Sequence, residues 1–291
     1  MKYNIYIILS ILLLLTGCND RYIRHDFPPK GILNMGKFDW SLTDEPEENT
    51  TVKVIITDEN GVTKEITTGS DGTVIELEDG TYTAVAVEET DGVTYEDNQV
   101  KVDVSDDGTI PHVPPFNVGE TTIVIEDGKI TEGETIYMIR QTRELVVLVR
   151  ILTEYGFFVN VEKLNGLLID VTTSRDILMG FPPRPTDNRE MAKSTYAPLP
   201  MTLMKTEDTR TGDTKPIVYT FRQQLLGIET GDDKNLTLSA TNFNGNEGEV
   251  TLSSFDIKEM LEGFHTENPA EPYVLILEME EDPAAGTITI K

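Results

Sequence analysis

The chain of 291 residues has little of the side-chain chemistry on which most enzymes and metal sites depend. It contains one cysteine, one tryptophan and three histidines. With a single cysteine, an intramolecular disulfide and a zinc–thiolate cluster are both excluded. Basic residues are also scarce, because 24 Lys and Arg face 51 Asp and Glu, for a formal net charge of −27. So acidic a chain would be repelled by phosphates, which argues against nucleic acid as a partner.

The three histidines belong to no recognisable catalytic or metal-binding motif. His25, His112 and His265 lie far apart in the sequence. The chain also lacks a Gly-x-Ser-x-Gly elbow, a phosphate-binding glycine loop and a His-Glu-x-x-His pair. We therefore predict that the protein is not an enzyme and that it carries no metal or other cofactor.

Two weaker site patterns concern calcium and sugars. Residues 103–108 (Asp-Val-Ser-Asp-Asp-Gly) loosely suggest a calcium loop, and a plain hairpin turn is the alternative. Sugar-binding surfaces usually expose aromatic platforms, but Trp40 fits an inward strand position better. The sequence does not order the tyrosines that could lie on loops into a stripe; these are Tyr22, Tyr95, Tyr155 and Tyr196.

The N-terminus has the pattern of a bacterial lipoprotein signal. Lys2 precedes an apolar run from Ile5 to Leu15, which is shorter than the roughly 20 residues that a spanning helix needs. The run ends in Leu15-Thr16-Gly17-Cys18, where small residues precede a cysteine that can accept a diacylglycerol. We predict a signal peptide at residues 1–17 and lipidation at Cys18. An ordinary signal peptide with an incidental cysteine is the alternative.

Turn dipeptides carry the strongest structural signal. Asp-Gly occurs five times and Asn-Gly three times, and most of them stand between β-branched or alternating runs. Both dipeptides accept positive φ at low cost and suit tight hairpins. The pattern predicts an all-β protein of two β-sandwiches in tandem. After a tether at residues 18–35, we place the first sandwich at 36–130 and the second at 136–291.

Two segments of the second sandwich depart from this hairpin pattern. A short helix is predicted where Ser253 or Ser254 can act as its N-cap and Gly263 can end it. Phe181–Pro216 contains many charges and six prolines. It is therefore predicted to be a long irregular loop.

The C-terminal alternation Thr287, Ile288, Thr289, Ile290 is typical of a strand. One interpretation is a closing edge strand of its own domain. The other is pairing with a second subunit, because an unpaired edge offers a row of backbone donors and acceptors to an incoming strand.

Short segments of the chain resemble a known family of surface lipoproteins. Met138–Val146 is similar to the Gln-Thr-Arg segment that opens the second domain of that family, and Leu164–Leu168 is similar to the strand that follows it. Phe221–Ile228 resembles its Arg-Leu-Leu-Gly segment with two glutamines inserted, and Leu236–Asn246 the next strand and turn. Gly80-Thr81-Tyr82 matches an edge motif. The family is that of the FimB-type fimbrillin-associated anchor lipoproteins of Gram-negative gut and oral anaerobes.

This resemblance implies two Greek-key, transthyretin-like β-sandwich domains. It also implies a lipid anchor on Cys18, with acyl chains such as palmitate, in the outer membrane at the cell surface. The partners would be the shaft subunits of a fimbria that assembles by strand exchange, and the role would be in cell adhesion. A surface lipoprotein that binds glycan is the alternative function.

Overall fold

A computed structural model describes most of the chain after residue 29. The described residues are 30–34, 38–43, 46, 49–96, 98–132, 135–158, 160–179, 184–185, 194–206, 216–228, 235–245, 247–264, 270–282 and 287–290. The predicted signal peptide, Cys18, Tyr22, His25 and His265 lie outside this range, as does most of the predicted tether. Over the described residues the protein is all-β with one short α-helix, which confirms the predicted fold class.

The described residues of the first half of the chain form ten strands. They are β1 Lys30–Asn34, β2 Phe38–Asp39, β3 Thr51–Asp58, β4 Thr63–Gly69, β5 Val74–Glu78, β6 Gly80–Glu88, β7 Val93–Glu96, β8 Gln99–Val102, β9 Asn117–Glu126 and β10 Lys129–Glu132.

The second half forms twelve more strands and the helix α1, Lys258–Leu261. The strands are β11 Ile136–Tyr137, β12 Ile139–Arg140, β13 Arg143–Leu152, β14 Lys163–Asp176, β15 Leu178–Met179, β16 Arg184–Pro185, β17 Thr195–Thr206, β18 Ile217–Leu225, β19 Asn235–Thr241, β20 Glu249–Asp256, β21 Tyr273–Asp282 and β22 Thr287–Ile290.

The first sheet has the strand order β10-β9-β6-β3-β4, and β12 also pairs with β9. Alternate residues of β3 are buried at Val52, Val54 and Ile56, as expected for a strand that covers a core with one face. The antiparallel pair β1–β5 packs over this face and contributes Ile75 and Leu77. These residues and their neighbours form the first core.

The second sheet is larger and has the order β20-β19-β14-β17-β18-β13-β21-β22. Its strands pair antiparallel except β13 and β21, which are parallel. The end strands β20 and β22 lie close together, so the sheet curls around its own core. In this second core, the buried Tyr219 donates a hydrogen bond of 2.8 Å from its hydroxyl to the carbonyl of Val161. Burial raises the pKa of the Tyr219 hydroxyl.

A hairpin from the first half completes the second sheet. Strands β7 and β8 pair with each other, and β8 pairs antiparallel with β14, with Val100 opposite Arg175. Val100 and Val102 are buried in the second core. Val85 and Val87, on the face of the first sheet that points away from the first core, join them there. Strand pairing therefore crosses the division that we predicted at residues 130–136.

Most turn dipeptides lie where the sequence placed turns. Asp127 and Gly128, between β9 and β10, have φ of 51° and 71°, which fits the two positive values of a type I′ hairpin turn. The carboxylate of Asp79 accepts both of their backbone N–H groups, at 3.0 and 2.9 Å. Asn165-Gly166 is the exception, since it lies inside β14, where the sequence also placed a strand.

The prediction of an irregular segment over Phe181–Pro216 was wrong for Thr195–Thr206, which forms β17. Its residues alternate between buried and exposed, with Leu199 and Leu203 fully buried. Two prolines had argued against a strand there. They are tolerated because, among the described strands, only β14 borders that part of β17, and β18 joins from Met204 onward.

The predicted helix exists, but its predicted start was wrong. Ser253 and Ser254 belong to β20, and α1 begins only at Lys258. The carboxylate of Asp256 accepts the backbone N–H of Lys258 at 3.1 Å, which stabilises this start. Gly263 lies in the 3-10 turn that follows α1.

Candidate functional site

The C-terminal strand is the segment for which the sequence predicted a partner. It pairs antiparallel with β21, and Ile288 is buried opposite Glu281 in the second core. On its other side it lies close to β20. The structure thus fits a closing strand of the same domain. Pairing of Thr287–Ile290 with another subunit stays a prediction.

A buried carboxylate stabilises the end of β21 beside this strand. Glu281 is 6% exposed and accepts three backbone N–H groups, from Tyr155 at 2.6 Å, Gly156 at 3.1 Å and Phe157 at 2.8 Å. Such charge-assisted bonds are stronger than neutral ones. Glu281 therefore fixes the loop between β13 and β14 against β21, the strand that pairs with β22.

The start of the second sheet is fixed by Arg143, the arginine of the Gln-Thr-Arg segment. It is 3% exposed and donates from Nε to the carbonyl of Glu271 and from Nη1 to the carbonyls of Gly263 and Phe264, at 2.8–3.0 Å. Its guanidinium also lies 4.8 Å from the centre of the Tyr273 ring, a cation–π contact. Arg143 thereby attaches the chain after α1 to the beginning of β13.

A second buried arginine, Arg175, lies where the β7–β8 hairpin joins β14. Its Nε donates to the carbonyl of Leu226 at 2.9 Å, and its Nη1 to that of Asp176 at 2.7 Å. Its Nη2 donates to the carbonyl of Gln141. Burial lowers the pKa of Arg175 to about 9, against the opposing effect of Asp176. Arg175 is therefore still charged at neutral pH, and it joins three separate segments of the chain.

Sequence reasoning had not singled out Arg175 or Glu281. Glu281 stands at an inward position of the otherwise apolar alternation of β21, whereas Arg175 ends a run of consecutive buried, mostly polar residues in β14. That mismatch between charge and strand periodicity could have identified Glu281, because buried charges need specific partners, but no such local signal exists for Arg175.

The other candidate residues occupy ordinary turn, core or surface positions. In the 103–108 turn, the Asp107 carboxylate accepts the hydroxyl and the backbone N–H of Thr109, and both bonds lower its pKa. This is the hairpin-turn alternative. Trp40 is half-buried and packs against the first core, with Phe38 at a ring-centre distance of 6.4 Å. His112 is exposed. Within the described ranges, no three His, Cys, Asp or Glu side chains gather as a metal site would require.

The three described tyrosines of that set belong to different elements of the fold. Tyr155 and Tyr196 are exposed, the first in a loop and the second in β17, and Tyr95 is half-buried in β7. Nor does the described part of the chain contain a helix with the length and apolar character needed to cross a membrane.

Comparison with known proteins identifies the fold but no family. No family model and no curated protein matches the sequence. A candidate adhesin from Bacteroides ovatus aligns with a TM-score of 0.53 at 14% identity, over 92% of this chain and 94% of its own. A candidate adhesin from Bacteroides thetaiotaomicron aligns with a TM-score of 0.52 at 14% identity, over 88% and 93%.

A fimbrial assembly protein from Parabacteroides distasonis covers 90% of this chain and 97% of its own, at 13% identity. Its TM-score of 0.36 is too low to support an argument. The two adhesin structures show that this chain shares the overall fold of proteins described as adhesins, across nearly its whole length.

Proposed function

We propose that the protein is a lipid-anchored structural subunit of the cell surface that anchors, or is accessory to, a fimbria assembled by strand exchange. The observation that carries this proposal is the fold. A hairpin from the first β-unit pairs with the sheet of the second, and a candidate adhesin aligns with 92% of the chain. The FimB-type resemblance of the second half gives the finer assignment. A role in adhesion and biofilm formation follows from it.

The architecture suits a protein that transmits force. A tether on Cys18 would lead into the first sheet, and the buried β8–β14 pairing connects that sheet to the second. Strands β13 and β21 pair side by side over eight residue pairs, from Leu145 with Tyr273 to Leu152 with Glu280. A force along such strands loads all the backbone hydrogen bonds between them at the same time. A set of bonds loaded in this way resists rupture better than side-chain contacts do.

The anchor is tested by metabolic labelling with an alkyne analogue of palmitate in the source bacterium. We expect label on the wild-type protein and its recovery in the outer membrane fraction, and neither for Cys18→Ser. Wild-type protein without label would contradict lipidation. Deletion of the gene should yield shed or abnormally long fimbriae, and unchanged fimbriae would contradict the anchoring role separately from the lipid.

The partner edge is tested by cross-linking from single cysteines at Thr287 and Thr289 to a co-expressed shaft subunit. Because lipid occupies the thiol of Cys18 in the proposed form, each introduced thiol is the only one available. Cysteines at Thr63 and Thr67, exposed on the edge strand β4 of the first sheet, serve as controls. Adducts at the controls with none at Thr287 and Thr289 would contradict the C-terminal edge as the partner site.

A further inference from the structure

A polar groove lies between the first sheet and the tip of the β7–β8 hairpin. Its volume is about 420 Å³, and β3, β4 and β6 contribute the floor, on the face that points away from the first core. The hairpin supplies the opposite wall. Volumes of about 300–1,000 Å³ are typical of small-molecule sites, which often lie between domains.

The floor carries an ordered row of hydroxyl groups. The strand register places Thr57 directly opposite Thr63 on one side and Thr83 on the other. Directly opposed residues of antiparallel strands point to the same face, so the three hydroxyls form a line across the sheet. The next row, Glu65, Ile55 and Val85, adds one carboxylate and an apolar patch that consists mainly of Ile55, since Val85 is 4% exposed.

The wall contributes an aromatic ring and an amide. The hydroxyl of Tyr95 donates to Oδ1 of Asn98 at 2.8 Å, which fixes the ring against the hairpin. Asn98 has a left-handed φ of 63°, and no described residue accepts from its amide nitrogen. The groove therefore combines an aromatic ring, an apolar patch, hydroxyl groups and an amide nitrogen that donates to no other described residue.

The charges at the rim are all accounted for by ion pairs. Glu65 pairs with Lys53 at 2.7 Å, and Glu96 pairs with Lys101 at 2.9 Å. Lys53 and Lys101 lie outside the groove lining and are already paired, so no described cation in the lining is left for an anionic ligand such as a phosphate, a sulfate or a uronic acid.

We propose that this groove binds a neutral saccharide of one or two sugar rings. The threonine hydroxyls, the Asn98 amide and the rim carboxylates bond the sugar hydroxyls, and Tyr95 with the apolar patch covers its C–H face. This binding role goes beyond the anchoring function and does not need a fimbria. If the groove binds no saccharide, the anchoring function is unaffected, and if the protein does not anchor a fimbria, the binding proposal is unaffected.

The test is isothermal titration of the chain from residue 18, carrying Cys18→Ser, against a panel of neutral disaccharides and matched uronic acid disaccharides. We expect at least one neutral disaccharide to bind and the acidic ones not to. Thr83→Val keeps the side-chain shape and removes one hydroxyl, so Kd should rise about fivefold. The matched control is Thr122→Val, because Thr122 stands opposite Thr83 in the same threonine row on β9, outside the groove lining, and should leave Kd unchanged.

A second variant separates the wall from the floor. Tyr95→Ala should raise Kd tenfold or more, whereas Tyr155→Ala, at an exposed tyrosine of the second unit, should not alter it. Unchanged far-UV circular dichroism and melting of Thr83→Val would show that its effect is local. The proposal is overturned if no neutral disaccharide binds at millimolar concentration, or if Thr83→Val and Thr122→Val change Kd equally.

Discussion

The two sheets cover their apolar faces in different ways. The first sheet takes most of its strands from consecutive stretches of chain, joined by Asp-Gly and Asn-Gly turns, and β1–β5 covers it. The second sheet gathers distant segments, since β13 pairs in parallel with β21 and β14 receives β8 from the first half. Both units bury polar side chains: the second buries Arg143 and Arg175, and the first sheet buries Asn117 on β9 and Arg140 on β12. The comparison teaches that local turns connect most strands of the first unit, whereas the second depends on pairing between distant segments, one of which Arg175 bonds in place.

The largest expected effect comes from removing the guanidinium that fixes such a joint. Arg175→Met leaves the carbonyls of Leu226, Gln141 and Asp176 without their donor, which should lower the free energy of unfolding by about 3 kcal/mol. Urea denaturation followed by circular dichroism measures the loss. Arg222→Met is the matched control.

The side chain of Arg222 is 62% exposed, and its pair with Glu144 spans 3.4 Å. Exposed pairs contribute about 0–1 kcal/mol, so this control should be nearly neutral. Equal losses in the two variants would refute the idea that buried polar bonds hold the second unit together.

Glycine-to-alanine substitutions compare the packing of the two units. A Cβ on Gly119 would lie 2.6 Å from the carbonyl oxygen of Tyr137, which is backbone and cannot move aside easily. Gly119→Ala should therefore cost about 1–3 kcal/mol. A Cβ on Gly166 would meet the flexible end of Met201 at 2.9 Å, so Gly166→Ala should cost less. Thermal unfolding ranks the variants.

The control for both is Gly69→Ala, since Gly69 is exposed and a Cβ there would meet nothing within 4 Å. This change should stay within about 0.5 kcal/mol of wild type. A larger loss for Gly166→Ala than for Gly119→Ala would mean that the second sheet is the more rigidly packed one.

A smaller, local effect is expected at the loop that Glu281 binds. Glu281→Gln removes the negative charge from an acceptor of three N–H groups and should cost about 1–2 kcal/mol. Hydrogen exchange should then speed up at the amides of Tyr155, Gly156 and Phe157. Glu280→Gln, at the exposed neighbour on β21, should not change that exchange. Protection that survives Glu281→Gln would show that packing of Phe157 alone holds the loop.

The smallest effect concerns pH. Hydrogen bonds from Ser239 and Asn165, at 2.6 and 3.0 Å, lower the pKa of Glu249 on the edge strand β20. Because the folded pKa lies below the unfolded one, the stabilisation is complete above the unfolded pKa and is lost as pH falls through the folded pKa. Melting temperatures measured from pH 7 down to pH 3 should therefore fall slightly more for wild type than for Glu249→Gln.

The control for this pH series is Glu259→Gln, at an exposed glutamate on α1. This variant should follow the wild-type curve. A Glu249→Gln curve parallel to wild type would mean that the three side chains are not bonded in solution.

How far the sequence could predict the fold depends on the distance between paired residues. The Asp127-Gly128 turn was predicted correctly because its φ values depend on those two residues. The strand Thr195–Thr206 was missed because its prolines are tolerated only where a single strand borders it, a tertiary condition. The β8–β14 pairing was missed for the same reason, since no local pattern tells a hairpin which sheet it will join.

The candidate sites show the same limit. The lipidation motif at Cys18 could be read because its chemistry lies within four consecutive residues, and it stays a prediction. The groove at Tyr95 could not be found, because its threonines come from three strands and align only through their register.

The β7–β8 hairpin, which pairs with the second sheet, also sets an order of events during folding. Synthesis runs from the N-terminus, so β7 and β8 exist in the growing chain well before β14, the strand with which β8 must pair. Until then Val100 and Val102 have no core to enter, and an unpaired strand edge of this kind invites pairing with other chains. The hairpin of the first half can therefore pack only when the second half is available. A chaperone that binds the hairpin until then would reduce incorrect strand pairing.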